Sequence, residues 1–508
     1  MRPQIVLTFI AIIISICSCR SDFETIASSG KLEFSRDTIY LDTVFTSIGS
    51  STYRLKVYNR SKSDITIPTI KLAKGLNSKY RMTVDGMLGT NGKIFNNVDV
   101  LAKDSLYIFI ETTANIADAN STDFLYTDQI QFDGGQNLQS VELVTLIQDA
   151  VFLYPKRFVD GTIETLPIGD QKIEGFYLDE NDPVNGNELQ FTKNKPYVIY
   201  GYAAVPSSKT ATFEAGTKVY FHSNSGLIVC NKASIKVNGS VSTTDKLENE
   251  VVFEGDRLEP DFENVPGQWG TIWLTDGSTN NFFNHLTIKN ATIGLLIQNN
   301  DGTTVSIKNT QIYNSTNYGI LAQTGKINGE NIVINNAGLA NLACNYGGSY
   351  KFTHSTFNNN WNSSQQVALS LSNYITGAIP EAKDLAEATF NNCIIYGSYS
   401  NEMTLNKKTG AAFKYQFNNC LIKFDNTSSQ FATNPDYQFT SDAVHYNAII
   451  LNKDPKFFKT AQNKLNIDAA SSAFAKGNSA YLIPTDVLGK MRTLPPDLGA
   501  YQNMEFPK

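Results

Sequence analysis

The sequence predicts an all-β chain in which an N-terminal antiparallel β-sandwich precedes a right-handed parallel β-helix. Two observations lead to this prediction. Short segments of alternating apolar and polar residues fill residues 31–149, as in the strands of a sandwich. Further along, the apolar residues Ile288, Ile312, Ile334 and Phe357 follow one another at steps of 24, 22 and 23 residues. A regular step of this size is typical of stacked structural repeats.

Composition limits the classes of partner. The chain has 508 residues, of which 41% are hydrophobic, enough for two or three domains with apolar cores. Charged residues make up 18%, and the formal net charge is −6. No basic surface is expected, so nucleic acid is not a predicted partner. The net charge does not exclude polyanionic glycans as partners, because charged residues can be arranged locally.

The amino terminus carries a targeting signal. Arg2 precedes a short apolar run at residues 5–16, which is too brief to cross a bilayer and fits the core of a secretion signal. The run ends at Ser18-Cys19, with a small residue before the cysteine. This pair resembles the lipobox of Gram-negative lipoproteins, which implies lipidation of Cys19.

The lipobox resemblance sets the first boundaries. It implies a lipoprotein signal peptide at residues 1–19, a linker at residues 20–30, and attachment by a lipid anchor to the outer membrane, facing the cell surface. The alternative is a plain secretory signal with incidental cysteines. The later cysteines lie in apolar stretches and are expected to be buried free thiols, namely Cys230, Cys344, Cys393 and Cys420. A Cys393–Cys420 disulfide is the alternative.

Residues 31–149 contain no histidine and no nucleophile placed beside a base. Their strand pattern resembles the immunoglobulin-like modules that follow the lipid anchor in many bacterial surface proteins. That resemblance implies a spacer, and a ligand-binding sandwich is the alternative. Residues 150–200, interrupted by proline and glycine, are predicted to be a transition segment that packs on the first coils.

Residues 201–502 are predicted to form the β-helix, because a step of 22 to 24 residues is about one coil of three short strands. Two polar columns accompany the apolar markers and are interpreted as a structural ladder of side-chain amides. The first column, three residues before each marker, contains Asn309, Asn331, Asn392 and Asn419, with His285 and His354 in the same position. The second, two residues after the marker, contains Asn290, Asn314, Asn336 and Asn359.

Several motifs resemble the pectate-lyase-like superfamily of right-handed parallel β-helices. They include the opening run at residues 213–221, Gly267-Gln268-Trp269-Gly270 and the closing run Pro496-Asp497-Leu498-Gly499. The resemblance covers about residues 195–502 and implies a C-terminal segment that caps the stack. The superfamily contains lyases, hydrolases, epimerases, adhesins and inert stalks, so the resemblance does not imply an activity.

Catalytic residues are hard to find. In the regular coils, residues 281–371, the acids are Asp301 and Glu330, at unrelated repeat positions where they are not expected to converge. No arginine lies between Arg257 and Arg492, and Lys289 and Lys308 are interpreted as solvated. The chain has 4 histidines, and the two in one column are three coils apart, so zinc is not expected.

Two sets of residues are candidates for binding. An acidic stretch offers oxygen ligands for Ca²⁺, with a solvated loop as the alternative, and comprises Glu254, Asp256, Glu259, Asp261 and Glu263. No other cofactor is implied. Strand alternation points Trp273 outward, and Tyr313 and Tyr318 also lie outside the inward positions, so these rings are predicted to form a carbohydrate-binding strip. The alternative is aromatic cover beneath an insertion or against the sandwich. The Ala- and Glu-rich part of that insertion, residues 379–388, is compatible with a short helix.

The favoured function is a lipid-anchored cell-surface protein with a non-catalytic, structural or glycan-binding β-helix. It is expected to be a monomer whose partners are the membrane and a polysaccharide. A polysaccharide-active lyase or hydrolase is the first alternative, and an adhesin or assembly partner that binds protein is the second.

Overall fold

The computed structural model describes residues 24–300, 302–363, 365–376 and 381–506. The chain divides into two compact units, Met1–Asp149 and Ala150–Lys508. The predicted signal peptide and Cys19 lie outside the described residues. Within the described ranges, no helix has the length and apolar character needed to cross a membrane.

The first unit consists of two sheets that share one apolar core containing Tyr80, Ile108 and Phe132. Side chains alternate between buried and exposed along its strands, as along Gln139–Gln148. This alternation produces the period-two pattern of apolar residues in the sequence. The larger sheet contains Ile26–Ala27, Ile65–Leu72, Leu125–Phe132, Gln139–Gln148 and Thr38–Phe45, with Ile94–Val100 paired to Ile65–Leu72. The smaller sheet contains Glu33–Phe34, Tyr53–Tyr58, Ser105–Thr112 and Tyr80–Val84.

Most pairings in this unit are antiparallel. Two pairings in the larger sheet are parallel: Ile26–Ala27 with Ile65–Leu72, and Thr38–Phe45 with Gln139–Gln148. The unit is therefore a sandwich of mainly antiparallel strands.

The second unit is built from three long sheets, named here sheet one, sheet two and sheet three. Sheet one contains Val151–Leu153, Tyr197–Ile199, Lys218–Phe221, Val251–Gly255, Leu286–Lys289, Gln311–Ser315, Val333–Ala337, Thr356–Asn359, Ile394–Gly397, Leu421–Ile422 and Ile450–Leu451. Sheet two contains Thr165–Ile168, Gln171–Tyr177, Tyr202–Val205, Gly226–Val229, Trp269–Leu274, Ala291–Gln298, Tyr318–Gln323, Ala340–Asn345, Val367–Ser372 and Met403–Asn406. Sheet three contains Gln190–Phe191, Thr210–Glu214, Ser234–Asn238, Phe282–Asn284, Val305–Lys308, Lys326–Glu330, Gly348–Thr353, Leu385–Asn391, Gln416–Asn418 and Tyr446–Asn447.

The chain visits the three sheets in turn, so each strand pairs in parallel with the strand one coil later. The sole antiparallel pair in these sheets, among the described residues, is the hairpin Thr165–Ile168 and Gln171–Tyr177. The apolar markers lie directly over one another, in the order Ile288, Ile312, Ile334, Phe357, Ile395 and Ile422. The predicted fold class, all-β with an antiparallel sandwich before a parallel β-helix, is confirmed.

Both ends of the β-helix differ from the sequence-based boundaries. The stack begins at Val151–Leu153, inside the stretch expected to be a transition, because that short apolar strand already pairs with Tyr197–Ile199. The closing stretch, residues 453–506 (the C-terminal segment), does not cap the stack. It runs along sheet one, where Asn335 donates to the Thr460 carbonyl and Ala500 N–H donates to Thr356 Oγ1.

A cluster of rings closes the last coil of the stack. Phe424 stacks on Tyr437 with ring centroids 4.6 Å apart, and Phe439 lies 4.6 Å from Tyr446. The helical segments elsewhere are short 3-10 turns at Gly75–Asn77, Ile116–Asp118, Gly135–Asn137, Pro260–Phe262, Pro435–Tyr437, Thr460–Gln462 and Ser479–Tyr481. The described part of the insertion forms the strands Glu381–Ala382 and Leu385–Asn391 and not the expected helix, because both pair with neighbouring strands.

The first asparagine column lies in the turns before the sheet-one strands, and the second lies at the far end of these strands or directly after it. All of these asparagines except Asn359 have left-handed backbone angles, which asparagine tolerates better than most side chains: φ is positive at Asn290, Asn309, Asn314, Asn331, Asn336, Asn392 and Asn419. Neighbouring coils are joined by side-chain hydrogen bonds from Asn331 to Asn309 (2.9 Å), Asn392 to His354 (3.0 Å), Asn336 to Asn314 (3.3 Å) and Asn314 to Asn290 (3.4 Å). Asn359 instead donates to the carbonyls of Ala337 and Val367.

Substitution of Asn331 separates the two roles of the ladder. Its amide donates to Asn309 and to the Thr485 carbonyl and accepts from Arg492, all at 2.9 Å. Asn331→Gly keeps the left-handed backbone and is expected to lower the free energy of unfolding by about 2 kcal/mol. Asn331→Ala is expected to lower it by roughly 1 kcal/mol more, because a Cβ is strained there. The tryptophans, Trp269, Trp273 and Trp361, all lie in the second unit, so tryptophan fluorescence during urea unfolding reports this change.

The matched control is Asn91→Gly, an exposed left-handed asparagine of the sandwich, which should leave the tryptophan transition unchanged. Equal losses in Asn331→Gly and Asn331→Ala would contradict the backbone role, and no loss in either would contradict the ladder.

Candidate functional site

The outer face of sheet one is largely unavailable to a ligand. The C-terminal segment lies over it, and Tyr313 is 9% exposed in an apolar cluster with Val487 and Tyr501. The hydroxyls of Tyr313 and Tyr501 both donate to Gln311 Oε1, at 2.7 and 3.2 Å. Tyr313 is therefore not part of an exposed sugar-binding strip, because a distant part of the chain covers it.

Trp273 and Tyr318 belong to sheet two and are both half-buried. Trp273 pairs with Leu296, and Leu296 pairs with Leu321, which gives an apolar column across three coils. Tyr318 pairs with Ile293 in a separate column beside it. The structure thus brings two of the three predicted rings to one sheet, two strands apart.

A row of side-chain amides runs next to the Trp273 column. Gln298 pairs with Gln323, and Gln323 pairs with Asn345, so the three amides follow one another along the stack. Trp273 Nε1 donates to Gln298 Oε1 at 2.8 Å, and Gln298 Nε2 donates to Gln323 Oε1 at 3.2 Å. The tryptophan ring is thereby fixed at its polar edge. Sequence reasoning identified the ring but missed the amide row, although all three residues stand directly after an apolar inward residue, namely Ile297, Ala322 and Cys344.

Most of sheet two also lacks charge, since the charged residues of its strands are Lys172 and Glu174 in Gln171–Tyr177. Its eight strands from Tyr202–Val205 to Met403–Asn406 contain no Asp, Glu, Lys, Arg or His, and the structure describes every one of their residues. We call the outward side of these strands the uncharged face. Its half-buried side chains include Trp273, Ile293, Leu296, Gln298, Tyr318, Leu321, Gln323, Asn345, Ser370 and Thr404.

The predicted calcium ligands do not come together. Glu254 lies 3.4 Å from Lys289, Asp256 accepts from His222 Nδ1 at 2.7 Å, and Glu259 pairs with Arg257 at 3.1 Å. The other two carboxylates are exposed on the loop, at Asp261 and Glu263. Across the described part of the chain, no group of three or more His, Cys, Asp or Glu side chains is arranged to hold a metal ion.

Sequence reasoning missed a charged cluster near the start of sheet one. Glu250 is buried, accepts from Thr287 Oγ1 at 2.6 Å, and has its pKa raised by that burial. Burial lowers the pKa of Lys218, which interacts electrostatically with Glu250, Glu254 and Lys289. An acid and an amine shifted in these directions are typical of, but not restricted to, acid–base sites. Glu250 stands in a turn before its strand, so strand alternation gave no signal for it.

The histidines of the first ladder column serve as ladder members. His354 is fully buried, lies within hydrogen-bonding distance of Asn392 and of the Gly499 carbonyl, and has its pKa lowered to about 3, chiefly by burial and also by Arg492. It is neutral in the folded protein. The four cysteines after the signal are free, and Cys344, Cys393 and Cys420 are buried while Cys230 is half-buried.

No family model matches the chain, and no curated protein matches it. Among solved structures, the chain is similar to the E. coli chaperone DraB (12% identity, TM-score 0.17), to the ASH/PapD-like domain 7 of human CEP192 (14%, 0.15) and to the periplasmic chaperone SfaE (12%, 0.15). These likenesses cover 24%, 24% and 23% of this chain, and 57%, 87% and 58% of the other chains.

One buried carboxyl lies in the turn that leads into the last strand of sheet two. Glu402 is fully buried and its Oε1 accepts from the Tyr399 N–H at 2.8 Å and from Gln366 Nε2 at 3.4 Å. Its Oε2 has no hydrogen-bond partner among the described residues. Burial raises the pKa of Glu402 from 4.5 to about 7, against the opposing effect of the Tyr399 N–H.

This shift predicts a pH dependence of stability. The folded chain keeps a proton on Glu402 that the unfolded chain releases, so the stability it contributes is complete below pH 4.5 and is lost as the pH rises to about 7. This loss amounts to about 3 kcal/mol in the free energy of unfolding, and Glu402→Gln is expected to abolish it. The measurement is urea unfolding at several pH values, followed by tryptophan fluorescence. Glu387→Gln, at an exposed position, is the control, and a wild-type profile in Glu402→Gln would disprove the assignment.

Proposed function

We propose that this chain is a lipid-anchored cell-surface protein whose β-helix binds polysaccharide on the uncharged face without cleaving it. The observation that carries the proposal is the uncharged face itself. An aromatic and aliphatic column lies beside a row of amides, and both repeat at the strand spacing of about 4.8 Å. Apolar ring faces suit the C–H groups of sugars, and amides both donate to and accept from hydroxyls.

The remaining parts of the chain support display at a surface. The Ser18-Cys19 pair resembles a lipobox, the sandwich resembles the immunoglobulin-like spacers of bacterial surface proteins, and the β-helix motifs resemble the pectate-lyase-like superfamily. Together these resemblances support a right-handed β-helix held away from an outer membrane by a sandwich, as a monomer.

A polysaccharide-active enzyme is the second candidate, favoured by the cluster of Lys218, Glu250, Glu254 and Lys289. Glu250 is the best candidate for a proton donor, because burial raises its pKa. Two features count against catalysis. Glu250 already has a structural partner in Thr287 at 2.6 Å, and Lys289 is paired with Glu254.

Binding is tested by affinity electrophoresis of the full chain through gels that contain soluble polysaccharides. Wild type is expected to be retarded by at least one polymer, and Trp273→Ala is expected to bind about tenfold more weakly, because the ring face is lost. The control is Tyr40→Ala, a ring that is 64% exposed in the sandwich. Equal retardation of Trp273→Ala and wild type would refute the assignment.

Release of reducing ends or unsaturated products from the same polymers separates the two candidates. We expect none. Turnover that disappears in Glu250→Gln and persists in Trp273→Ala would favour the enzyme instead.

Anchoring is tested by two cysteine variants expressed in a Gram-negative host. Wild type and Cys17→Ser are expected to partition into detergent and to carry acyl chains by mass spectrometry, whereas Cys19→Ser is expected to lose both properties, since a thiol is the acylation site. An unacylated wild-type protein would support the plain secretory signal, and acylated Cys19→Ser would exclude Cys19 as the modified residue.

A further inference from the structure

The distribution of charge differs sharply among the three sheets of the β-helix. The strands of sheet one carry Lys218, Glu254 and Lys289, and those of sheet three carry Glu214, Lys236, Lys308, Lys326, Glu330, Lys351 and Glu387. Eight successive strands of sheet two carry no charge at all. Solvated sheet faces usually carry some charged residues. In the strands of sheet two these are confined to Lys172 and Glu174 of Gln171–Tyr177, so the lack of charge is a property of the eight later strands.

A ligand rich in carboxylates or sulfates would find no cation on this face. Recognition of such groups depends on charge-assisted hydrogen bonds from Arg or Lys. Burying the anions without such partners would cost the free energy of their hydration, and no ion pair or hydrogen bond would compensate for it. The face therefore favours a neutral polymer over a polyuronate.

The amide row indicates the direction in which a bound polymer would lie. Gln298, Gln323 and Asn345 follow one another along the stack, across the strands, at about 4.8 Å per coil. This spacing is close to the length of one pyranose unit in an extended chain. Among the described residues no protein acceptor is recorded for Gln323 Nε2 or Asn345 Nδ2, and both side chains are half-exposed.

The shape of the face favours a polysaccharide over a protein partner. Its large apolar side chains do not protrude: Trp273, Leu296 and Leu321 are half-buried, whereas Leu88 in the sandwich is 73% exposed. Protein interfaces are dominated by anchors that insert into a partner's pocket. A flat row of partly exposed rings, aliphatic groups and amides offers a platform for a linear chain.

We propose that the ligand of the uncharged face is a neutral, extended polysaccharide that lies along the stack axis, with successive sugars over the Gln298–Gln323–Asn345 row and their C–H faces on the Trp273–Leu296–Leu321 column. This inference rests on the proposed function and adds the charge class, the conformation and the direction of the bound chain.

The test compares galactomannan and xyloglucan, which are neutral, with polygalacturonate, using the full chain in affinity gels at low and high salt. Wild type is expected to be retarded by a neutral polymer, with no change in high salt, and to pass polygalacturonate freely. Gln323→Ala is expected to weaken binding about five- to tenfold. Leu321→Lys is expected to weaken it at least tenfold, and the milder Leu321→Gln to weaken it less.

Ser306→Lys adds the same charge to sheet three, where Ser306 is half-buried, and should bind like wild type. Tryptophan fluorescence and circular dichroism establish that each variant is folded. Binding of the neutral polymer that all three substitutions on sheet two leave unchanged would overturn the placement on that sheet.

The remaining outcomes separate this inference from the function on which it rests. Retardation by polygalacturonate alone, suppressed by salt, would overturn the neutral ligand and leave polysaccharide binding standing. Retardation by no polymer would overturn both. Concentration-dependent dimers that Leu321→Lys dissociates would overturn both in favour of a second copy of the chain on this face.

Discussion

The structure of the second unit depends on one constraint, the parallel hydrogen bonding of each strand to the strand one coil away. This pairing fixes every residue over its counterpart, so a side-chain type that recurs at the coil period becomes a continuous row. Phe352, Phe390, Phe417 and Tyr446 illustrate the effect inside the core. They are successive partners in sheet three, and their rings stack at centroid distances of 5.4, 4.9 and 5.6 Å.

The same constraint acts on polar groups, at buried strand positions as well as at the turns. Asn358 donates to Asn335 at 2.8 Å and Asn418 donates to Asn391 at 3.0 Å, all at buried positions. A buried amide is costly unless it is paired, and a row of amides satisfies each member through the next. The half-buried row of Gln298, Gln323 and Asn345 follows the same register, but only Gln298 donates to the next amide, at 3.2 Å.

The sequence predicted the features that recur at the coil period and missed the contacts between residues that are distant in the chain. Markers such as Ile312 and ladder residues such as Asn331 were identified because their period survives in the chain. Tyr313 was misjudged because strand alternation reports only that a side chain leaves the core. It gives no sign that Tyr501, 188 residues later, lies against it. The separation of the acidic residues in the loop was partly predictable from the sequence, because Arg257 stands two residues before its partner Glu259.

The surroundings of the acids in the β-helix also bear on the proposal that the chain binds a polysaccharide without cleaving it. Where the β-helix carries acids with raised pKa values, they are engaged in structure: Glu250 accepts from Thr287, and Glu402 accepts from the Tyr399 N–H inside a turn. The C-terminal segment then covers much of sheet one beyond them, which leaves little room there for a long polymer. Sheet two differs, since its eight strands from Tyr202–Val205 to Met403–Asn406 carry no charged side chain and several of their outward side chains are only half-buried. The proposed polysaccharide would therefore be held there by extended contact with rings, aliphatic groups and amides.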